Sequence, residues 1–478
     1  MRDTQRPSIT YVLASDVGQD RLGARVRFAY EGETLNDEGV VRHEDGRKEI
    51  VLRYGTPSEM TRRKLVTLVR NIVKSAKSSG EKRIILSLDD LYGRCSSRMV
   101  SDPTDLVSLV ITNIEMANYE FVAYKSKPKD GWKFLEEVVF VGTVRFMDGI
   151  GHGRLVGNGV NLMRDLGNTP AFDLTPRRLA FEAELASTGL PVKFRALGVE
   201  EMQTLGMGGV LGVGVGSVNK PCFVIMEYMA GPPDEKPIVL VGKGVTFDTG
   251  GISIKPSEGM EEMKLDMLGG ASVIAAIVTA ARLGLKKNVV ALVPAVENMP
   301  SGSAIRPGDV LTSLSGKTME VLNTDAEGRL ILADALAYAG KFYDPRLVVS
   351  VATLTGAACV ALGTHASALF AADDAIAATM TLLAEESGDY VWRMPLWEEY
   401  DDEVKGAVGD VRNTGKSGRY GGAIAAAKFL EKASVITHPW AHIDMAPRMT
   451  SADGDHLAKG AAGDPVRLLV RLLERYTA

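Results

Sequence analysis

Short β-branched runs that alternate with longer helical ones constrain this chain more than any other feature. Residues 238–241, 289–293 and 347–351 are almost wholly apolar and rich in valine, so they read as strands buried on both faces. Residues 270–283 and 330–339 carry apolar positions at helical spacing. Strand and helix in alternation predict an α/β architecture, a mostly parallel central sheet flanked by helices. At 478 residues the chain is long for one core. Two domains are therefore expected, a small α/β domain over 1–160 and a larger catalytic α/β domain over 161–478.

In the first part, Leu65, Leu68, Val69, Ile72, Val73 and Ala76 form a helical apolar stripe. Residues 83–88, 121–124 and 138–141 read as strands, and 102–119 as a second helix. The glycine-rich stretch 149–159 gives way to a helical pattern at 161–166, which sets the boundary near 160. Thr175 is placed to cap a helix that starts with Pro176. Residues 466–476 form an amphipathic terminal helix through Leu468, Leu469, Leu472 and Leu473.

The bulk chemistry is ordinary. Hydrophobic residues make up 45% and charged ones 24%, as in soluble globular proteins. A net charge of −5 disfavours a general nucleic-acid binder. Cys95, Cys222 and Cys359 have no CxxC spacing and cannot all pair, which fits a reducing compartment. No secretory leader is visible after Met1, and the apolar run near 347–362 is too short to span a bilayer. The expectation is a cytoplasmic protein that does not engage a membrane.

The loops carry the chemistry. Asn323-Thr324-Asp325-Ala326-Glu327-Gly328-Arg329-Leu330 sets two carboxylates and a guanidinium on alternate residues, between an apolar run and a helix. Gly242-Lys243-Gly244-Val245-Thr246-Phe247-Asp248 also follows a strand, and Met263-Lys264-Leu265-Asp266 lies shortly after it. In parallel sheets the ligand crevice lies at the carboxyl ends of the strands, where these loops converge. Singly, Asp248 and Asp266 read as turn or cap residues, and Asp325 with Glu327 as a solvated first helical turn. Together, the four carboxylates would repel one another unless two divalent cations neutralised them. Lys255 and Arg329 would then leave the site positive, suited to a developing oxyanion.

Rival motifs fail. Ser315-Gly316-Lys317-Thr318 ends like a phosphate loop, but Leu311 stands where its leading glycine belongs. His438 and His442 have zinc-helix spacing without the glutamate, and Pro439 interrupts a helix there. His442 and Asp444 read instead as a structural pair on one face of a strand. The glycine run 206–216 reads as close packing or loop flexibility rather than a nucleotide loop.

With these motifs the chain resembles the leucyl aminopeptidase family, the two-metal cytosol aminopeptidases. Residues 323–330 carry that family's signature without mismatch. Glu297-Asn298-Met299-Pro300-Ser301-Gly302, Arg306-Pro307-Gly308-Asp309-Val310, Gly250-Gly251-Ile252-Ser253-Ile254-Lys255 and Thr353-Leu354-Thr355-Gly356-Ala357 match as well. The resemblance covers residues 161–478. It implies release of the N-terminal residue, leucine and other apolar ones preferred, from peptide substrates. Lys243, Asp248, Asp266 and Glu327 would hold one metal, and Asp248, Asp325 and Glu327 the other, with Lys243 neutral. The ions would be Zn²⁺ or Mn²⁺, with Mg²⁺ and Co²⁺ also compatible. Lys255 would polarise the scissile carbonyl, and Arg329 would anchor a bicarbonate base. Met263, Thr353, Leu354 and Gly356 would line the pocket for the first side chain. A homohexamer is implied too. Leu268, Gly270, Phe172, Val215 and the 445–448 and 463–465 segments depart from the family pattern, none of them at a proposed ligand. Two other readings stay open on the residues alone: a non-catalytic binding role for 1–160, and a two-metal hydrolase of phosphoesters.

Overall fold

The computed structural model describes residues 6–14, 23–29, 39–44, 46–53, 59–99, 102–142 and 147–476, without the side chains of 39, 40, 94–99 and 147. The chain divides into one unit of Met1–Asn161 with Asp453–Lys459, and a second of Leu162–Ala452 with Gly460–Ala478.

In the first unit six strands form one sheet, in the order Thr10–Ala14, Glu137–Val141, Arg83–Ser87, Ala24–Ala29, Lys48–Arg53, Gly39–Arg42. Every neighbouring pair is parallel except the last. Helix Arg62–Ser78 begins at Thr61, whose side chain accepts from the Lys64 N–H. It buries the expected stripe in a core that includes Ile84, Leu86, Val138 and Phe140. Residues 121–124, expected as a strand, are irregular and end in a turn in which the Lys125 N–H reaches the Val122 carbonyl. Their aromatic residues favour a pleated surface only where a strand lies alongside, and here Phe121 and Tyr124 pack on each other instead, ring centroids 5.9 Å apart.

The glycine-rich stretch 149–159, expected to precede a helical pattern at 161–166, is itself continuous helix within Met147–Asn168. Gly149, Gly153 and Gly157 lie one turn apart on a single face. A Cβ on them would come within 2.6 Å of the Thr104 carbonyl, 2.5 Å of the Ser108 carbonyl and 2.6 Å of the Glu115 Cβ. The glycines thus let this helix approach helix Pro103–Asn118 more closely than any side chain would permit, and that packing outweighs their poor helix propensity.

The second unit is built on a nine-stranded sheet. Its central strands Asn288–Asn298, Ile238–Gly242, Leu347–Ala352 and Trp440–Asp444 are mutually parallel. Antiparallel pairing appears outside them, where Cys222–Met229 joins Asn288–Asn298 and Ser367–Ala371 joins Trp440–Asp444. Helices Leu268–Leu283, Gly328–Tyr343 and Gly422–Ser434 cover it with largely buried side chains. Residues Met260–Leu283 are long and apolar enough to cross a membrane by composition, but 89% of the most apolar window is buried in the protein interior. The terminal helix Val466–Arg475 packs on Leu268–Leu283 and buries all four expected leucines. The 206–216 glycine run folds as the short helix Gly208–Gly214, pressed so closely on its neighbours that a Cβ on Gly208 would lie 2.2 Å from the Thr312 carbonyl. Gly316 turns a hairpin between Val310–Thr312 and Thr318–Glu320 at φ +86°, which accounts for the resemblance to a phosphate loop. Cys222 and Cys359 are free and half-buried, whereas the Cys95 side chain lies outside the described residues.

Candidate metal centre

The site begins with an interruption of a strand. Asn288–Asn298 pairs with Ile238–Gly242 along its first half and with Gly244–Asp248 along its second. Lys243 stands at the step between them. Its N–H donates to the Val351 carbonyl (3.0 Å), and its own carbonyl accepts from Gly270 (2.6 Å). Glycine flanks it on both sides because a Cβ at 242 would lie 2.4 Å from the Gly269 carbonyl, and one at 244 would lie 2.7 Å from that of Pro294. The step drives the Lys243 side chain into the interior. There Nζ lies 2.8 Å from Asp266 Oδ2 and 2.8 Å from Glu327 Oε1, and it donates to the Thr353 carbonyl at 3.0 Å.

Asp248 ends the next strand, opposite Asn298. Its Oδ1 accepts from the Gly250 N–H (2.9 Å) and from Asn298 Nδ2 (2.8 Å), while Oδ2 lies 2.8 Å from Lys255 Nζ. The turn that returns the chain to Lys255 requires positive φ at Gly250 and Gly251, +84° and +66°. Lys255 also contacts Asp325. Asn298 Nδ2 donates as well to the Thr324 carbonyl (2.9 Å), so one amide ties the Asp248 strand to the 323–330 loop. Ser253 and Thr324 bond each other reciprocally, N–H to hydroxyl in both directions.

The 323–330 loop closes the site. Asp325 is half-buried, and Glu327 is fully buried immediately before helix Gly328–Tyr343. Carboxylate oxygens of Asp248, Asp325 and Glu327 lie within 4.8 Å of one another. Asp266 follows a 3₁₀ turn at Met260–Leu265 and is held by Thr353, whose hydroxyl donates to Oδ1 at 2.7 Å. Arg329 lies in the first helical turn and donates through Nη1 to the Asn413 carbonyl (2.7 Å), while its buried Nε has no hydrogen-bond partner among the described residues.

Four carboxylates here face two ammoniums. Burial pushes the Asp266 carboxyl well up; Lys243 opposes this, and the neighbouring carboxylates reinforce it. Glu327 is raised by burial and by Asp248. Burial disfavours the Lys243 and Lys255 ammoniums, yet the surrounding carboxylates outweigh it and hold both above the ordinary lysine value. Asp266 Oδ2, Asp325 Oδ1 and Glu327 Oε1 have lysine nitrogens nearby but accept no well-directed hydrogen bond. Excess negative charge, unfilled oxygen lone pairs and convergence from separate loops suit hard divalent cations. Burial draws the Arg329 guanidinium down to about 10.

The five expected ligands and Lys255 therefore come together. Thr353, expected in a substrate pocket, turns its hydroxyl to Asp266 and its carbonyl to Lys243. Leu354 lies on the same loop and is partly buried, Gly356 is exposed at the start of helix Gly356–Leu362, and Met263 is partly buried in the Met260–Leu265 turn. His442 and Asp444 are both buried in strand Trp440–Asp444. His442 Nδ1 pairs with Ser350 Oγ at 2.9 Å, and burial lowers its pKa to about 3. Asp444 accepts from the Leu354 N–H (3.0 Å) and the Thr355 hydroxyl (2.7 Å), anchoring the loop that carries Thr353. The support given by Asn298, Asn413 and Asp444 is not legible in sequence, because a lone polar residue carries no local sign of a partner fifty or ninety positions away.

The profile described as "Cytosol aminopeptidase family, catalytic domain" matches residues 161–470. A probable cytosol aminopeptidase of Roseiflexus castenholzii is 47% identical over 383 residues, 78% of each chain. One of Chlorobaculum tepidum is 44% identical over 421 residues, 84% of this chain and 83% of that one. Among solved structures, a tomato leucine aminopeptidase mutant aligns with TM-score 0.86 at 28% identity, over 99% of this chain and 98% of its own. The bottromycin maturation enzyme BotP in complex with Mn aligns with TM-score 0.83 at 31% identity, over 95% of this chain and 99% of its own.

Proposed function

The chain belongs to the cytosol aminopeptidase family of metal-dependent N-terminal exopeptidases, and we propose that residues 161–478 perform the reaction with two divalent cations held by Lys243, Asp248, Asp266, Asp325 and Glu327. The observation that carries this reading is the convergence of Asp248, Asp325 and Glu327 oxygens within 4.8 Å, beside Asp266 and two lysines. Zn²⁺ or Mn²⁺ suits the set, and Mg²⁺ or Co²⁺ also fits oxygen ligands. When bound, such cations acidify a water and polarise the peptide carbonyl.

The protein's own groups do the rest. Lys243 serves as a ligand once its proton is displaced, and its fixed contact with the Thr353 carbonyl keeps the amine aimed at the cluster. Lys255, on the turn beside Asp248 and Asp325, donates to the oxygen that gains charge as the carbonyl is attacked. Arg329, buried with Nε unpaired among the described residues, would hold a bicarbonate, which would supply a general base there. Met263 offers a soft apolar wall, and with Leu354 of the loop and Gly356 at the start of the helix that follows it would line the pocket, which favours leucine and other apolar first residues. We assign the protein to the cytoplasm, as the names of its relatives suggest, and to a homohexamer.

Removal of metal by a chelator is expected to abolish leucine release from Leu-amide, and Mn²⁺ or Zn²⁺ to restore it. Glu327→Ala should remain inactive whatever metal is added. Full activity of Glu327→Ala would refute the dimetal reading, and light scattering on the same preparation tests the hexamer.

A further inference from the structure

We propose that Asn413 is a positioning residue of this centre: it holds the loop of Asp325 and Glu327, and the Arg329 guanidinium, in the spacing that cation binding and turnover require. The inference rests on the reading of Asp325 and Glu327 as ligands. Residues 321–327 have neither helix nor strand pairing, so their backbone polar groups need partners from elsewhere. The Asn413 side chain supplies four of them, beside those met by Ser253 and Asn298. Asn413 follows the two-residue strand Val411–Arg412, which runs parallel to Thr318–Glu320, and its own N–H donates to the Glu320 carbonyl at 2.9 Å. The main-chain ladder stops there, and the side chain continues it.

Oδ1 accepts from the Leu322 N–H (2.8 Å) and the Asn323 N–H (3.3 Å). Nδ2 donates to the Asn323 carbonyl (2.7 Å) and the Ala326 carbonyl (3.3 Å). The Asn413 carbonyl accepts from Arg329 Nη1 at 2.7 Å. One fully buried residue thus grips the loop before Asp325, between Asp325 and Glu327, and after Glu327. An amide is required for this task. It presents an acceptor to two N–H groups and a donor to two carbonyls, whereas a carboxylate would set an oxygen against both carbonyls. Supporting groups of this kind typically set metal affinity by 10–100-fold.

The test is Mn²⁺ titration by calorimetry on chelated full-length protein, with Leu-amide kinetics and thermal melting of the metal-free chain alongside. Asn413→Ala is expected to bind Mn²⁺ at least about tenfold more weakly. Its kcat, measured below its own melting temperature, should fall more than its KM rises, and its metal-free melting temperature should drop by only a few degrees, as expected for the loss of buried hydrogen bonds in a chain of this size. Asn413→Asp should share the defect despite its equal size, and it carries the test if the alanine variant does not fold. Parental Mn²⁺ affinity and kcat in either variant would overturn the proposal. Glu327→Ala separates the two readings. If it binds Mn²⁺ like the parent, the ligand assignment fails; if it loses Mn²⁺ while the Asn413 variants do not, this inference alone fails.

Discussion

At Gly328 the missing side chain is what lets Lys243 reach its two carboxylates. A Cβ there would lie 2.6 Å from Lys243 Cε and 2.7 Å from Nζ. Gly328 opens helix Gly328–Tyr343 without a positive φ, so alanine suits its backbone and the conflict falls wholly on a flexible lysine tip. Gly328→Ala is therefore expected to keep the fold and its melting temperature while Lys243 is pushed off Asp266 and Glu327. A displacement of about an ångström at a reacting centre costs roughly 10²-fold in rate. Leu-amide turnover beside a thermal melt checks the split, and a variant that unfolds while the surviving fraction keeps parental kcat would contradict it. The same economy appears at Gly242, where a Cβ would strike the helix backbone at Gly269 and Gly270, and at Gly244, where it would strike the neighbouring strand at Pro294.

Among the elements, the helix signalled by Thr175 and Pro176 begins where the sequence says it should. Thr175 accepts from the Arg178 N–H, and Pro176 occupies the first turn of Pro176–Ser187. Loss of that cap in Thr175→Ala is expected to cost ~1 kcal/mol of stability, read as a lower melting temperature with unchanged kcat for Leu-amide. The strands obey sheet context more than local pattern. Residues 121–124 have strand-like composition but form no strand pairing among the described residues, while 318–320, too short to notice in sequence, are strand because Val310–Thr312 and Val411–Arg412 flank them. Glycine-rich segments behave likewise. Gly149, Gly153 and Gly157 are helical because a second helix lies against them, a fact that lies outside their own stretch of chain.

For the molecule as a whole, pH acts on stability through buried acids, and Asp334 is the clearest one away from the metal centre. It is fully buried and accepts from the N–H groups of Val210 (2.9 Å) and Leu314 (2.8 Å), joining the glycine helix and the Gly316 hairpin to helix Gly328–Tyr343. Burial raises its carboxyl to about 7, against the opposing pull of those backbone donors. A carboxyl raised on folding binds its proton more tightly in the native state. Its contribution is therefore most favourable below the unfolded value and is lost as pH climbs toward 7. The slope is at most ~1.4 kcal/mol per pH unit across that window. The melting temperature of Asp334→Asn should accordingly fall less than that of the parent between pH 5 and pH 8. Parallel curves for the two proteins would show that Asp334 does not titrate there.

The chain by itself determined its α/β class, the helix start at Thr175, the apolar stripes, and the identity of every acidic and basic group in the centre. These follow from period, capping and residue chemistry, all of which act over a few neighbouring positions. Only the tertiary structure decided that Lys243 stands at a break between two strands, that Thr353 turns toward Asp266, and that Asn298, Asn413 and Asp444 support the loops. It also decided that Gly149, Gly153 and Gly157 make a close helix contact. Those outcomes depend on which backbones meet across fifty to a hundred residues. Such meetings are set by the summed burial of the whole core, and no single segment records them.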